Sequence, residues 1–206
     1  MGNPWEEINL SDYENHMSLD SVYQLQALNA MMREQFAVYP VASIMILGIA
    51  GGNGLEHIPT EQVKLVYGVD VNSDFLAQCE ARYPALTGIL KTLRIDLLDE
   101  ALQLPPAELL VANLLIEYIG YEAFQRVVRL VKPQYVSCII QINTGDSFVS
   151  DSPYLHAFDG LDAVHHQMEE QRLTVAMREI DYSVQKAEER LLPNGKKFVR
   201  LDFARM

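Results

Sequence analysis

The sequence predicts an α/β fold: a doubly wound, mostly parallel sheet of seven strands with helices on both faces and an antiparallel hairpin at the C-terminal end. Three observations carry it. Short apolar runs alternate with helix-periodic segments between Ser43 and Ile142, the pattern of parallel strands joined by crossovers. A glycine cluster, Gly48 to Gly54, follows the first run, where such sheets turn toward a ligand. Two strand-prone segments then flank Pro193, Asn194 and Gly195, and Asn followed by Gly is a strong hairpin signal.

The elements follow in order. Residues 19–38 place Val22, Leu25, Leu28, Met32 and Phe36 on one helical face, so a helix precedes the sheet. Residues 43–47 and 64–69 read as the first two strands, the second ending at Asp70. Only residues 54–58 lie free before Pro59, so the first crossover helix is short or displaced into residues 60–64. Ser73 is the expected N-cap of a helix through Phe75, Leu76, Cys79 and Tyr83 that stops before Pro84. Residues 92–95 form the third strand, ending at Asp96, and residues 109–114 the fourth. Residues 121–131 carry Phe124, Val127, Val128 and Val131 on a helical face, and residues 135–142 form the fifth strand. Residues 161–173 are expected to be helical, and residues 177–192 and 197–204 are the hairpin strands. At 206 residues the chain is expected to form one domain, with residues 1–40 as a helical arm and residues 41–206 as the α/β core.

Composition narrows the function classes. Hydrophobic residues make up 49% and charged residues 21%, ordinary globular usage. The longest apolar runs, such as residues 43–50, fall well short of the roughly 20 residues of a membrane span. The opening residues lack the basic start and apolar core of a secretory signal, so cytoplasmic residence with no membrane partner is expected. Cys79 and Cys138 are read as reduced thiols. No residue cluster calls for a metal. A net charge of -12 argues against a nucleic-acid partner, which would need Lys and Arg against phosphates. The same charge serves solubility or favours a cationic ligand.

The chemistry is concentrated at the glycine loop. Glycine there allows a ligand to approach the backbone where a Cβ would intrude. Asp70, 16 residues beyond Gly54, stands where an acidic side chain accepts hydrogen bonds from ribose hydroxyls. The pair implies an adenosine-containing ligand, although Asp70 and Asp96 would also be ordinary polar strand ends. A dinucleotide fingerprint read from Gly52 and Gly54 requires glycine or alanine at position 57, and the chain has His57. An NAD(P)-dependent oxidoreductase is therefore the disfavoured alternative.

In these residues the sequence resembles the class I S-adenosylmethionine-dependent methyltransferases, whose Rossmann-like fold opens with an acidic residue and a G-x-G-x-G loop. Gly48 stands in place of the acid and Ala50 in place of the first glycine, while Gly52 and Gly54 match. The resemblance implies that Asp70, with Val71 beside it, binds the ribose, that Asp96 meets the adenine amine, and that Leu97 packs near the ring. It implies that Asn113 and Leu114, at the fourth-strand motif, line the sulfonium. In similar enzymes the N-terminal arm folds over the donor, which makes Tyr13 a candidate cap and places Met17 nearby. The cofactor so implied is S-adenosyl-L-methionine.

The acceptor is expected to be a small molecule. No basic face is present, and the fourth-strand motif reads Asn113, Leu114, Leu115, Ile116 without the prolines of nucleobase amino-methylating enzymes. Neither cysteine follows a proline, as cytosine C5 methylation requires. Tyr118, Tyr121, Phe148, Tyr154 and Phe158 are aromatic enough to wall an apolar pocket, and serve equally as core residues. Glu117, His156, His165 and His166 are the candidate bases, and no spacing selects among them. The paired histidines read as surface residues of a helix. A non-catalytic nucleoside-binding module remains the other alternative.

Overall fold

The computed structural model describes residues 2–143 and 147–206. Its sheet has seven strands in the order β3-β2-β1-β4-β5-β7-β6. These are β1 (Ser43–Leu47), β2 (Leu65–Asp70), β3 (Leu90–Arg94), β4 (Leu109–Asn113), β5 (Tyr135–Ile142), β6 (Tyr182–Leu191) and β7 (Lys197–Arg205). The first five run parallel, and β7 pairs antiparallel with both β5 and β6. The predicted architecture is the one observed.

In β1, Ile44, Met45, Ile46 and Leu47 are all buried, because helices cover both faces and no side needs to be polar. Ile44 and Ile46 pack with Met32 and Phe36 of α2 (Gln24–Val38) and with Leu76 and Cys79 of α3 (Ser73–Arg82). Met45 and Leu47 share the opposite core with Phe124, Val127 and Val128 of α4 (Ile116–Val131) and Leu173 and Met177 of α5 (Glu170–Arg178).

Several boundaries differ from the sequence reading. The helix expected over residues 19–38 starts at Gln24, since a turn through Leu19 and Tyr23, the latter at φ 56°, separates it from α1 (Leu10–Ser18). Val22 is buried all the same, so its apolar register marked burial and not helix. The crossover between β1 and β2 is one 3-10 turn, Leu55–His57. Asn72, not Ser73, caps α3, its Oδ1 accepting from the backbone N–H groups of Asp74 and Phe75. Residues 161–173 are not one helix: a 3-10 segment, Leu155–Ala163, gives way to α5. Met177 lies in α5, so β6 starts later than expected. Among the described residues no helix is long and apolar enough to cross a membrane. Both cysteines are free and buried, and burial pushes the Cys79 thiol up to about 12, as for an inert thiol.

A buried polar network fastens α2 to the sheet. Arg200 and Asp202 of β7 have fully buried side chains and pair through two contacts, Nε to Oδ1 at 2.9 Å and Nη2 to Oδ2 at 2.6 Å. Asp202 also accepts from Ser137 Oγ at 2.5 Å and Tyr39 OH at 3.0 Å. Ser137 accepts from Gln35 Nε2 at 2.8 Å, and Gln35 exchanges two hydrogen bonds with Asn113. Removing one partner of a buried ion pair leaves a desolvated charge. Asp202→Ala is expected to lower the urea unfolding free energy by about 3 to 5 kcal/mol. Glu34→Ala, at the exposed end of the same network, is expected to cost under about 1 kcal/mol.

Candidate functional site

Strand order reverses between β1 and β4, because the chain builds β1, β2 and β3 to one side and then β4 to the other. The crevice beyond the carboxyl ends of such strands is the ligand site of a doubly wound sheet. A cavity of about 730 Å³ lies there, lined by Gly48, Ala50, Asp70, Val71, Asp96, Leu97, Asn113 and Leu114, with Tyr13 of the arm across from them.

The loop after β1 is shaped by its backbone. Gly48 N–H and Ile49 N–H both donate to the Val69 carbonyl, at 2.8 and 3.1 Å, which pulls the loop onto the end of β2. Gly48 has φ 66°, and a Cβ there would sit 3.1 Å from Leu115 Cδ1. Ala50 has φ 47° and Leu114 φ 52°. Both border the cavity in a region that L side chains enter at a cost of about 1 to 2 kcal/mol.

Asp70 stabilises the strained turn. Its Oδ2 accepts from Ala50 N–H at 2.9 Å and its Oδ1 from Asn72 N–H at 3.0 Å. Burial pushes its carboxyl above the ordinary range, opposed by these backbone donors. Each oxygen keeps a further lone pair for a ligand. Asp96 Oδ1 accepts from Leu98 N–H at 2.9 Å, and its Oδ2 lies 3.4 Å from Asn3 Nδ2 of the arm.

Two expected positions fall elsewhere. Gly52 and Gly54 do not line the cavity: a Cβ on Gly52 would strike Cys79 and Tyr83, and one on Gly54 would strike Met32. Their glycines permit close packing of the loop on α3 and α2. Asn113 borders the cavity, but its carboxamide is committed to Gln35 in both directions. The sequence reading missed Trp5, Asn3, Phe75 and Val164. The only signal for Trp5 was a lone tryptophan in a polar leading segment.

A second cavity of about 500 Å³ adjoins the first, and Trp5, Tyr13, Leu114 and Tyr118 line both. Tyr118, Phe148 and Phe158 wall it, whereas Tyr121 is tied through its hydroxyl to Glu169 and Tyr154 packs outside the lining. Met17 lines this second cavity and not the first. The paired histidines do not lie on a helix: His165 stacks on Phe148 at 3.8 Å and faces the second cavity, while His166 is exposed and only its backbone N–H bonds the Glu117 carbonyl. His156 is exposed beside Asp159. His16 and Gln24 were missed, having no motif around them.

Glu117 belongs to an isolated turn that Gly120, at φ 74°, cuts from the rest of α4. It is 3% exposed, and its Oε1 accepts from Gln141 N–H at 2.7 Å while Oε2 is buried without a partner among the described residues. Burial pushes its carboxyl up to about 7, against the Gln141 hydrogen bond.

No family model matches the chain, and no curated protein matches it. Solved structures do share the fold. A structure described as an S-adenosylmethionine-dependent methyltransferase from Mesorhizobium loti matches with a TM-score of 0.64 at 16% identity, covering 88% of this chain and 100% of that one. Geranyl diphosphate C-methyltransferase from Streptomyces coelicolor matches at 0.65 and 9% identity, covering 88% and 77%. The [4+2]-cyclase SpnF matches at 0.65 and 9% identity, covering 87% and 80%. The chain has the class I methyltransferase fold, which also carries a cyclase, so function rests on the site.

The raised affinity of Glu117 for its proton has a consequence for folding. Between its ordinary value of 4.5 and about 7 the native state holds a proton that the unfolded chain has lost, so stability falls as pH rises through that window and levels off above it. The loss is expected to be about 3.5 kcal/mol at most, at about 1.4 kcal/mol per tenfold change in proton affinity. Glu117→Gln is expected to abolish this dependence and to be the more stable protein at pH 8. Urea unfolding of both proteins at pH 5 and pH 8 measures it, and parallel pH profiles would show that Glu117 stays ionised at no cost.

Proposed function

We propose that this protein is an S-adenosyl-L-methionine-dependent methyltransferase acting on a small molecule, with the larger cavity as its donor site. One observation carries the reading: the positive-φ loop after β1 and the acids Asp70 and Asp96 at the ends of β2 and β3 face a single cavity at the reversal of strand order. Asp70 would hold the ribose hydroxyls, and Asp96, with Val71 and Leu97 beside it, would hold the adenine. Trp5 and Tyr13, in T-shaped contact at 5.9 Å, close the cavity from the arm.

The residues fit that cofactor. Gly48 leaves the cradle clear of a Cβ, and the buried Trp5 Nε1, which lacks a partner among the described residues, offers a donor at the cavity wall. When bound, the cofactor supplies a methyl group on a positively charged sulfur. The protein needs no nucleophile of its own. Its part is to hold the acceptor about 3 to 3.5 Å from that methyl in line with the bond to sulfur, and to exclude water. The Streptomyces coelicolor enzyme of the same fold is named for geranyl diphosphate, a small molecule, and that likeness supports a small-molecule reading here.

The oxidoreductase reading loses further ground. β7 lies antiparallel between β5 and β6, unlike the 3-2-1-4-5-6 strand order of dinucleotide-binding sheets. His57, where that fingerprint needs a small residue, bonds Asn29 Oδ1 of α2 at 2.9 Å. Gly48, in place of the family's first acid, favours the alternative of a binding module without turnover, since it gives the cofactor ammonium no carboxylate.

Calorimetry is expected to give one site per chain for S-adenosylmethionine and S-adenosylhomocysteine and none for NAD. Asp70→Ala is expected to weaken that binding by about 1 to 3 kcal/mol through loss of charge-assisted hydrogen bonds. A radiolabelled methyl group should appear in a dialysable metabolite extract and not in tRNA, DNA or protein. Binding without any labelled product would support the module, and saturable NAD binding alone would refute the proposal.

A further inference from the structure

We infer that the second cavity is the methyl-acceptor site and that it takes a small primary or secondary amine, held as its ammonium against Glu117, which receives the proton when the nitrogen is methylated. The inference rests on the donor-site reading above and adds the acceptor class and a catalytic residue.

The unpaired atom leads to it. Glu117 Oε2 is buried and, among the described residues, unpartnered, in a side chain whose other oxygen is fixed by Gln141 N–H. A desolvated carboxylate oxygen without a donor is costly, and a ligand carrying N–H groups and a positive charge removes that cost. Trp5, Tyr13, Tyr118, Phe148 and Phe158 present aromatic rings around the same space, and ring faces attract cations.

The charges nearby select against anionic acceptors. Among the described residues lining the cavity there is no lysine or arginine. His16, which bonds Ser152 Oγ at 2.8 Å, and His165, stacked on Phe148, both have lowered proton affinity, chiefly through burial, with Lys196 and His166 adding to it. Both are therefore neutral at pH 7. Lys196, the nearby cation, spends a proton on the Phe148 carbonyl, and burial lowers its own value to about 8. A phosphate or carboxylate would find no counter-ion in the chamber, whereas an ammonium finds Glu117. The net charge of -12 adds a long-range pull of the same sign.

The step balances. The ammonium gives one proton to Glu117 Oε2, and the freed nitrogen lone pair forms the new N–C bond as the C–S bond breaks. That bond's electron pair stays on sulfur, leaving a neutral thioether and a methylated ammonium. Glu117 then returns its proton to solvent. Gln141 N–H holds the carboxylate in place throughout.

The test is calorimetry on the full chain saturated with S-adenosylhomocysteine, titrated with 2-phenylethylamine, 2-phenylethanol and 3-phenylpropanoate, and repeated with a panel of smaller aliphatic amines. At least one amine is expected to bind the wild type roughly tenfold or more tightly than its matched alcohol and carboxylate, a difference of about 1.4 kcal/mol. Amine binding at pH 6 is expected to release protons, read as a heat that changes with buffer ionisation enthalpy. Glu117→Gln, which keeps the acceptor for Gln141 N–H, is expected to lose both the preference and the proton release while binding S-adenosylhomocysteine unchanged. Failure of S-adenosylhomocysteine to bind would refute the donor reading, and this inference with it. If it binds but no amine does, or alcohols and carboxylates bind as well, or the Gln variant keeps the preference, the amine site is wrong and the donor reading stands.

Discussion

The reversal of strand order between β1 and β4 is the constraint on which everything else depends. β1 is bonded on both edges, to β2 and to β4, and buried on both faces, so it cannot shift without opening two cores. Its carboxyl end is therefore a fixed point, and the chains leaving β1 and β4 must part in opposite directions. Both departures use positive φ at a residue with a side chain, Ala50 and Leu114. Such strain persists only where the surroundings over-determine it. Here the Asp70 carboxylate on Ala50 N–H and the Ile139 carbonyl on Leu114 N–H do so.

The arm completes the site, and its attachment is polar at both ends. At its far end, Gln35 of α2 joins Ser137, Asn113 and the Asp202–Arg200 pair. At its leading end, Asn72 Nδ2 donates to the carbonyls of Trp5 and Ile8, at 2.9 and 3.3 Å. Directional bonds fix the depth and rotation of a segment where apolar contact alone would let it slide. Glu14 with Arg82 and Glu6 with Arg94 add exposed ion pairs, which contribute little to stability. The energy lies in the buried groups, and so does the placement of Trp5 and Tyr13 over the crevice.

The two cavities share a wall yet differ in character. The first has acids at strand ends and backbone exposed by glycine, suited to hydroxyl and amine donors of a nucleoside. The second is an aromatic chamber with one buried carboxylate and neutral imidazoles. Leu114 and Tyr118 separate them, and both leave the end of β4 within a few residues of Glu117. A single segment, from Asn113 to Ile119, thus borders both cavities.

Periodicity is a local property, and what is local was legible in the sequence. The parallel strands, the hairpin at Asn194 and Gly195, the glycine loop, and Asp70 and Asp96 at strand ends follow from residue spacing, because burial on two faces and tight turns each demand particular residue types nearby. The helix boundaries at Tyr23 and Ala163 were not legible, since apolar residues such as Val22 are buried whether or not the chain around them is helical. Gly52 and Gly54 look alike to Gly48 in sequence, yet they face α3 and α2, a difference set by which helix lies opposite. Trp5, Glu117 and Phe158 come from distant parts of the chain, and only packing brings them to one space. The sequence alone determined the strands in their order along the chain and the glycine loop with acids at the strand ends, while the tertiary structure decided which carboxylate lost its water, because desolvation depends on the neighbours that close around a group and not on those beside it in the chain.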